Sequence, residues 1–557
     1  MHLSSKIEIN VVKRYLNRKM RRKSSTCLIT LIAFVGCIVS GSAFAPASKS
    51  SLDSIGHSFL NTQLSIPTQR RITSYLMETP LQKSCGSTSP LEKNLSSEEK
   101  PVSSSSFSKE SVTTKIPPIV RFGPFGSGGT VVGFSKYNGV RAAFEENFAR
   151  RLELGAQLVI YEKGEKVVDL YGFAPEEPDY DGETLQFVAS SGKNMESIAM
   201  AMLVDRGLVD YDDLVQKHWP EFGASGKEKI TISDVMRHAG GVPFVVDSGS
   251  KKITPITTED ILAVDPMEQK ICMAEKHPNS KNAAAIPCYH ALTRGFIVNG
   301  ILRRVDGRSL GRFFREEITE PLSSENETTV KFFCGIPKKE QPEHKFANFT
   351  QGSIFYTVFV QILPALLGFN KQLAAFPFGC FFRSDGLGAF VKSVAFPTLL
   401  FEDYINSPFG RSIEISSSGM FANARSMAVI NAATMAGDGS IRGVRLLSPE
   451  GVAKSMDSIV TRTDSALDTT LGFTQGGYCS FQESFVEGAK NEIFHPDDKT
   501  AYGNFIGWGG FGGSLSLVDR EKKISFAYCM NGIGIDALWG VRTRRILLEL
   551  QKEMSSE

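Results

Sequence analysis

The chain has 557 residues, of which 41% are hydrophobic and 22% charged, and its formal net charge is +2. This ordinary globular composition excludes collagen, a coiled coil and a wholly disordered chain. Residues 1–45 carry eight Lys or Arg against one acidic residue, which leaves a charge of −5 on the remainder. Because that remainder is mildly acidic, we expect no nucleic-acid partner.

The nine cysteines and eight histidines are scattered along the chain. Neither a CxxC pair nor an HxxxH pair occurs, and these are the spacings that disulfide-exchange and metal sites commonly use. We therefore expect no metal, no cofactor and no disulfide framework.

The N-terminus has the pattern of a targeting sequence. A basic stretch precedes the apolar run Leu28–Val39, which is too short to span a bilayer. Small residues follow, and together these features predict a signal sequence over residues 1–45. The AFAP step at residues 43–46 resembles the bipartite plastid presequences of algae with secondary plastids. We expect delivery to a plastid through an ER signal, with secretion or the ER lumen, and then the mitochondrion, as alternatives.

Residues 46–117 are rich in serine and show no sustained apolar period. A segment of this composition buries too little apolar surface to offset its chain entropy, so we predict a disordered transit or linker segment. The folded domain should then cover residues 118–557.

Strand pairs are predicted near both ends of this domain, with helices between them. The strands are Ala156–Tyr161 with Lys166–Tyr171, and the runs SLSLVD and KISFAYCMN near the C-terminus. Helical spacing marks residues 141–151 and 535–553, and residues 194–447 are mostly helix and loop by pattern. We predict an α/β fold with an antiparallel sheet built from both ends of the domain, flanked by helices and carrying an inserted, mostly helical lobe.

One segment, Ile354–Phe369, is very apolar, is broken by Pro364 and is short for a membrane span. The favoured interpretation is a core helix. The alternatives are an apolar cap over a substrate tunnel and a patch for peripheral membrane or lipid contact.

Two serine motifs are candidates for a hydrolase nucleophile. Gly307–Gly311 matches the GxSxG pattern, which needs a strand before its turn. The preceding residues 291–305 have helical spacing instead, so Ser309 is interpreted as the N-cap of the next helix. The pattern SxxK occurs at Ser97, Ser106, Ser190 and Ser248, but only Ser190 follows an extended run and begins a helix.

The SxxK spacing has a chemical reason. Residues three apart lie on one face of a helix, so Lys193 can reach the Ser190 hydroxyl. A lysine activates a serine only when burial or a neighbouring cation lowers its pKa towards neutrality. On these residues alone, a nucleophile and a simple N-cap remain equally open interpretations of Ser190.

Several stretches then resemble, in order, the serine β-lactamases and penicillin-binding proteins, and among them the class C-like and family VIII carboxylesterase-like hydrolases. These stretches are FVASSGKNMESIAMAMLVDRGLVDYDDLV, TISDVMRHAGGVPF, YHALTRGFIVNGILRRVDGRSLG and WGGFGGSLSLVDREKKISFAYCMNG. The resemblance covers about residues 128–548. It implies a β-lactamase/transpeptidase-like fold and an enzyme that acts through an acyl-serine.

The resemblance also implies site residues. Ser190 would be the nucleophile, Lys193 its proton partner and Tyr289 the phenol that relays the proton to the leaving group. Ala291 stands where the family has an Asn that holds the substrate amide. Taken without the resemblance, Tyr289 is equally well a core aromatic residue ahead of a helix.

The third family motif, usually Lys-Thr-Gly or His-x-Gly, is Trp508-Gly509-Gly510 here. It implies that Trp508 and Gly510 contact the substrate and that the Phe511 N–H holds the oxyanion. Losing the cation removes the partner of a substrate carboxylate, so we expect a small neutral ester as substrate. The alternatives are a β-lactamase or D-Ala-type peptidase acting on an amide, and a catalytically silent scaffold that self-assembles; homo-oligomers also stay open.

Overall fold

The computed structural model describes residues 120–122, 125–131, 136–175, 177–245, 264–274, 288–323, 329–351, 402–434, 440–441, 443–464, 467, 469–482, 503–533 and 541–555. All of them belong to one compact unit, residues 112–557. The presequence, the Ser-rich segment, Ile354–Phe369 and the serines 97, 106 and 248 lie outside the described residues. No helix in the described ranges combines the length and the apolar character needed to cross a membrane.

The architecture is built on one large antiparallel sheet. The strands of the described chain are β1 (Val120–Phe122), β2 (Phe125–Val131), β3 (Gly155–Glu162), β4 (Glu165–Phe173), β5 (Gln186–Phe187), β6 (Phe332–Cys334), β7 (Thr350–Gln351), β8 (Met420–Ala422), β9 (Ser440–Ile441), β10 (Val444–Arg445), β11 (Val460–Asp464), β12 (Thr469–Phe473), β13 (Cys479–Ser480), β14 (Ile506–Gly509), β15 (Leu515–Asp519), β16 (Ile524–Met530) and β17 (Gly532–Ile533). Ten of them form the large sheet, in the order β1-β2-β4-β3-β16-β15-β14-β13-β12-β11.

The two predicted strand pairs meet at the centre of this sheet. Strand β3 pairs with β16 along its length, so the N-terminal and C-terminal ends of the domain share one ladder. The β3–β4 hairpin turns at Lys163 and Gly164, both with positive φ (52° and 89°). Positive φ at both central residues is the geometry of a tight two-residue hairpin turn. The predicted sheet, assembled from both ends of the domain, is confirmed.

Helices cover the sheet and form the inserted lobe. The α-helices are α1 (Asn138–Ala149), α2 (Lys193–Asp205), α3 (Val215–His218), α4 (Ile232–Met236), α5 (Val264–Met273), α6 (Thr293–Val305), α7 (Leu310–Phe314), α8 (Glu320–Leu322), α9 (Glu402–Ile405), α10 (Pro408–Arg411), α11 (Ala424–Thr434), α12 (Pro449–Met456) and α13 (Val541–Ser555). Short 3₁₀ turns lie at Ala189–Gly192, Pro220–Gly223 and Gln341–Glu343, and a π turn at Arg315–Thr319.

Both faces of the sheet are packed against helices. Successive side chains of a strand point to opposite faces. On β16 the Tyr528 ring packs against Phe144 of α1, with ring centroids 6.4 Å apart. The Ser525 hydroxyl, on the other face, donates to the Ala428 carbonyl of α11 at 2.7 Å. All seven residues of β16 are buried, as expected for a strand between two helical layers.

A second, three-stranded sheet, β5-β8-β6, lies beside the large one and leads into helix α2. Strand β5 continues to Val188, whose N–H donates to the Met420 carbonyl of β8 at 3.0 Å. The 3₁₀ turn Ala189–Gly192 follows at once and runs into α2. This small sheet therefore fixes the point at which Ser190 enters the helix.

Candidate active site

Ser190 lies in a strand-to-helix turn that is locally strained. Ala189 before it has φ of 46°, in the left-handed region that residues with a Cβ rarely adopt. Such strained backbone occurs preferentially at functional sites. The turn leaves Ser190 half-buried while its neighbours Ala189 and Ser191 are fully buried.

Two side chains converge on the Ser190 hydroxyl. The Lys193 ammonium nitrogen lies 3.3 Å from Ser190 Oγ, one helical turn further along the chain. The Tyr289 hydroxyl, 99 residues away in sequence, donates to the same Oγ at 2.7 Å. The structure thus brings together all three residues to which the resemblance gave catalytic roles.

Lys193 is held in a way that suits a base. Its side chain is completely buried, and this burial lowers its pKa from 10.5 to about 7. Nζ donates to the carbonyls of Ala291 and Ser417, each at 2.8 Å. A neutral amine has two N–H bonds and one lone pair, so the two carbonyls take both hydrogens and leave the lone pair facing Ser190 Oγ.

Tyr289 remains a phenol near neutral pH, because burial raises its pKa well above the usual value. Its ring packs against the ring of His238, with centroids 4.7 Å apart, and Lys193 Nζ lies 4.9 Å from its centroid. The phenol can therefore donate a hydrogen bond to Ser190 Oγ, but it is not a phenolate near neutral pH. Between Lys193 and Tyr289, the amine is the group able to accept the serine proton.

Trp508, which the resemblance places where the family usually has a cation, is an almost completely buried apolar side chain. Its indole is 5% exposed, and Nε1 donates to the Gly477 carbonyl at 2.9 Å. The ring stacks on Phe473, with centroids 5.4 Å apart and an interplanar angle of 27°. Its one polar atom is thus satisfied inside the protein, so Trp508 offers the site an apolar face.

Gly510 directly follows β14 and lies against the backbone that leads into the Ser190 turn. A Cβ on Gly510 would lie 2.4 Å from the Val188 carbonyl, so only glycine allows this approach. Ser514 Oγ donates to the same carbonyl at 2.8 Å. Phe511, the next residue after Gly510, is 45% exposed. The strand end therefore stays in contact with the serine turn, as a two-part oxyanion site of the Ser190 and Phe511 N–H groups requires.

Sequence reasoning missed a buried ion pair beneath Lys193. Glu196 and Arg294 are both completely buried, and Arg294 Nε lies 3.0 Å from Glu196 Oε2. The Nε2 atom of His238 lies 3.4 Å from Nη1 of Arg294. The available signal was the placement of Glu196 one turn after Lys193, on a helix whose next turns (IAMAMLV) are apolar.

Ser309 is an N-cap, as predicted. It precedes α7, and its Oγ accepts from the Arg312 N–H at 3.3 Å. Its other contact is with Glu414, at 3.2 Å. Among the described residues, neither an amine nor an imidazole is bonded to this hydroxyl, so the GxSxG match does not repeat the arrangement found at Ser190.

Within the described ranges, no group of three or more His, Cys, Asp or Glu side chains could hold a metal ion. The convergent polar groups around Ser190 are those of proton transfer rather than of metal binding.

Comparisons with known proteins agree with this geometry. The family model named Beta-lactamase matches residues 140–331, the range that contains Ser190, Lys193 and Tyr289. "Esterase/beta-lactamase LipL" of Mycobacterium tuberculosis is 28% identical over 408 residues, which is 70% of this chain and 80% of that protein.

Solved structures share the fold. A family VIII carboxylesterase gives a TM-score of 0.59 at 23% identity, over 77% of this chain and 99% of its own. A penicillin-binding protein homologue from Caulobacter crescentus gives 0.56 at 24% identity, over 75% of this chain and 97% of its own. EstA from Arthrobacter nitroguajacolicus gives 0.59 at 21% identity, over 77% and 99%. The ordered motifs, the family match over residues 140–331 and the shared fold together support a place in the serine β-lactamase and penicillin-binding-protein superfamily.

Proposed function

We propose that this protein is a serine hydrolase that cleaves a carboxylic ester through an acyl-Ser190 intermediate. The observation that carries the proposal is the convergence of Lys193 Nζ, at 3.3 Å, and the Tyr289 hydroxyl, at 2.7 Å, on Ser190 Oγ. The relative from Mycobacterium tuberculosis is named an esterase/β-lactamase, and one similar solved structure is a family VIII carboxylesterase. Both names support the same class of reaction.

In the acylation step the neutral Lys193 amine takes the Ser190 proton as Oγ attacks the ester carbonyl. The N–H groups of Ser190 and Phe511 then hold the oxygen on which negative charge develops. As the intermediate collapses, the C–O bond to the alcohol breaks, and the Tyr289 hydroxyl passes the proton to the leaving alkoxide. Lys193 restores the proton of Tyr289.

In the deacylation step a water molecule attacks the acyl carbon, and Lys193 accepts the water proton. The bond between the acyl carbon and Ser190 Oγ then breaks, and Lys193 passes that proton to Oγ. The sum is one ester and one water converted into one acid and one alcohol, with the enzyme unchanged.

Trp508 and Ala291, beside Ser190, favour a neutral substrate. The satisfied, apolar Trp508 cannot pair with a substrate carboxylate, and a charged hydrogen bond of that kind contributes roughly 1.5–3 kcal/mol. Ala291 likewise lacks a side-chain amide, and its carbonyl is already used by Lys193. Both features favour small neutral esters over penicillins and D-Ala-terminated peptides.

The proposal is tested with nitrophenyl acyl esters, comparing the wild-type protein with Ser190→Ala. We expect turnover by the wild type and a rate near that of the uncatalysed reaction for the variant. Equal turnover by the two proteins would refute the acyl-serine mechanism.

A second assay separates the amide alternative. The Mycobacterium tuberculosis relative is named both an esterase and a β-lactamase, so a fluorescent penicillin and a chromogenic cephalosporin are included. Covalent labelling of Ser190 by the penicillin, with faster turnover of the cephalosporin than of any ester, would favour the amide-hydrolase reading. A folded protein that reacts with none of these compounds would favour the silent scaffold.

A further inference from the structure

The buried ion pair of Glu196 and Arg294 takes no part in the proton transfers proposed for Ser190, Lys193 and Tyr289. Glu196 lies on α2 and Arg294 on α6, and neither side chain has any exposed surface. The 3.0 Å approach of Nε to Oε2 is an ion pair whose geometry is too bent for a hydrogen bond. Burying two charges is costly even when they are paired, and the pair's other contacts indicate a role.

Those contacts lead from the carboxylate to the catalytic amine. Glu196 Oε1 accepts from the hydroxyls of Ser416 and Ser417 at 2.8 and 2.7 Å. The Gly295 N–H, next to Arg294 in sequence, donates to Ser417 Oγ at 2.8 Å. The Ser417 carbonyl in turn accepts from Lys193 Nζ at 2.8 Å. One carboxylate thus anchors one of the two carbonyls that orient the Lys193 amine.

The charges of the pair also act on Lys193. The carboxylate of Glu196 raises the pKa of Lys193, whereas the guanidinium of Arg294 lowers it. Arg294 lies close to the turn of Lys193, since its Nη2 donates to Ser197 Oγ at 2.7 Å and to the Lys193 carbonyl at 3.4 Å.

The other groups that face Lys193 carry no charge near neutral pH. Tyr289 is a phenol, Trp508 from β14 has no titratable group, and the burial of His238 lowers its pKa well below the usual range. The balance between Glu196 and Arg294 is therefore the main electrostatic influence on this amine besides its burial.

We propose that Glu196 and Arg294 are positioning residues for the reaction of Ser190. This proposal rests on the proposed function. The carboxylate anchors the Ser417 segment that orients the Lys193 amine, and the guanidinium cancels the carboxylate's charge so that the amine can be neutral. Neither residue touches the substrate.

The electrostatic part is tested by the pH dependence of kcat/KM for a nitrophenyl ester. Glu196→Gln keeps an oxygen that can accept from Ser417 but leaves Arg294 unopposed, so the acid limb should move to lower pH by about one unit. Arg294→Met should move it by a similar amount to higher pH, and Arg294→Lys, which keeps the charge, should leave it near the wild-type position. A merely structural role would lower the rate at every pH without moving the limb.

The positioning part is tested separately with Ser417→Ala, which keeps the carbonyl but removes the hydroxyl that bonds Glu196. We expect fluorophosphonate labelling of Ser190 to slow about tenfold or more, because small displacements of catalytic groups carry large rate penalties. Ser525→Ala is the matched control, since it removes another buried hydroxyl with one bond to a carbonyl, in the sheet. Its labelling rate should equal that of the wild type.

Folding of every variant is checked by circular dichroism. If a charge variant does not fold, the double variant Glu196→Gln with Arg294→Met leaves no buried charge unpaired, and the Ser417→Ala comparison still decides the positioning part. Folded single variants with unmoved limbs, or Ser417→Ala labelling as fast as Ser525→Ala, would overturn the proposal. Wild-type protein that is not labelled at Ser190 would instead refute the proposed function itself.

Discussion

Ser190 and Ser309 each stand at the start of a helix inside a short hydrolase motif, yet their hydroxyls have opposite surroundings. Ser309 Oγ accepts from the Arg312 N–H, which is the bond that defines a helix cap, and it donates to the Glu414 carboxylate. Ser190 Oγ meets an amine of lowered pKa and a phenol. The difference lies in what the rest of the fold brings to each turn, and a motif alone carries no information about that.

The backbone before each serine differs in the same sense. Ser309 follows helix α6 and Gly307, whose φ of 88° ends that helix without strain. Ser190 follows a strand and Ala189, which holds a positive φ despite its Cβ. The strained turn is held through Val188, whose N–H donates to the Met420 carbonyl of β8 and whose carbonyl accepts from Ser514 Oγ.

The largest loss of activity at Ser190 should come from Lys193→Met, which keeps the length of the buried side chain and removes the base. We expect kcat/KM for a nitrophenyl ester to fall by about 10³-fold to 10⁴-fold, the upper part of the range in which proton-transfer groups contribute. Stopped-flow or plate-reader kinetics measure it. Activity within about tenfold of the wild type would mean that another group takes the serine proton.

The Tyr289→Phe substitution removes only the hydroxyl that donates to Ser190 Oγ. The expected loss in kcat/KM is about 10²-fold, with less loss for esters of acidic alcohols, whose alkoxides need no proton. Rates are compared for nitrophenyl and alkyl esters of the same acid. Equal losses for both leaving groups would contradict a relay to the leaving group.

The pH dependence sharpens the comparison without any substitution. Because the pKa of Lys193 is lowered to about 7, the amine is neutral on the alkaline side of that value and charged on the acid side. We therefore expect kcat/KM to fall about tenfold for each pH unit below the midpoint and to level off above it. A rate that is flat from about pH 5 to about pH 8 would contradict the assignment of Lys193 as base.

The smallest effect is expected at the other serine. Ser309→Ala removes an N-cap and should lower the free energy of unfolding by about 1 kcal/mol. Ester turnover should stay within about twofold of the wild type, because this hydroxyl caps a helix and lies next to neither Lys193 nor Tyr289. Urea unfolding and steady-state kinetics on the same preparation check both halves. A loss of turnover with unchanged stability would reverse the assignment of the two serines.

The parts of the fold that depend on neighbouring residues could be predicted from the sequence. The Lys163–Gly164 hairpin and the strands on either side carry local turn and alternation signals. The spacing of Ser190 and Lys193 is also local, since one helical turn joins them. The strand pairs at both ends of the domain predicted a single sheet built from both ends, and the structure adds that β3 pairs with β16.

Long-range placements could not be predicted from spacing. Tyr289 lies 99 residues from Ser190, and only the resemblance to known hydrolases pointed to it. Glu196 looks like a solvated charge in a helix until Arg294, from another helix, is seen beside it. Ser417 contributes a backbone carbonyl, and no residue type marks such a role in a sequence.

The most direct measurement of the central claim is peptide mapping by mass spectrometry after reaction with a fluorophosphonate probe. The three-residue convergence at Ser190 predicts a single adduct on the peptide that contains Ser190 and Lys193, lost in Ser190→Ala and kept in Ser309→Ala. An adduct on Ser309, or none on a folded protein, would contradict it.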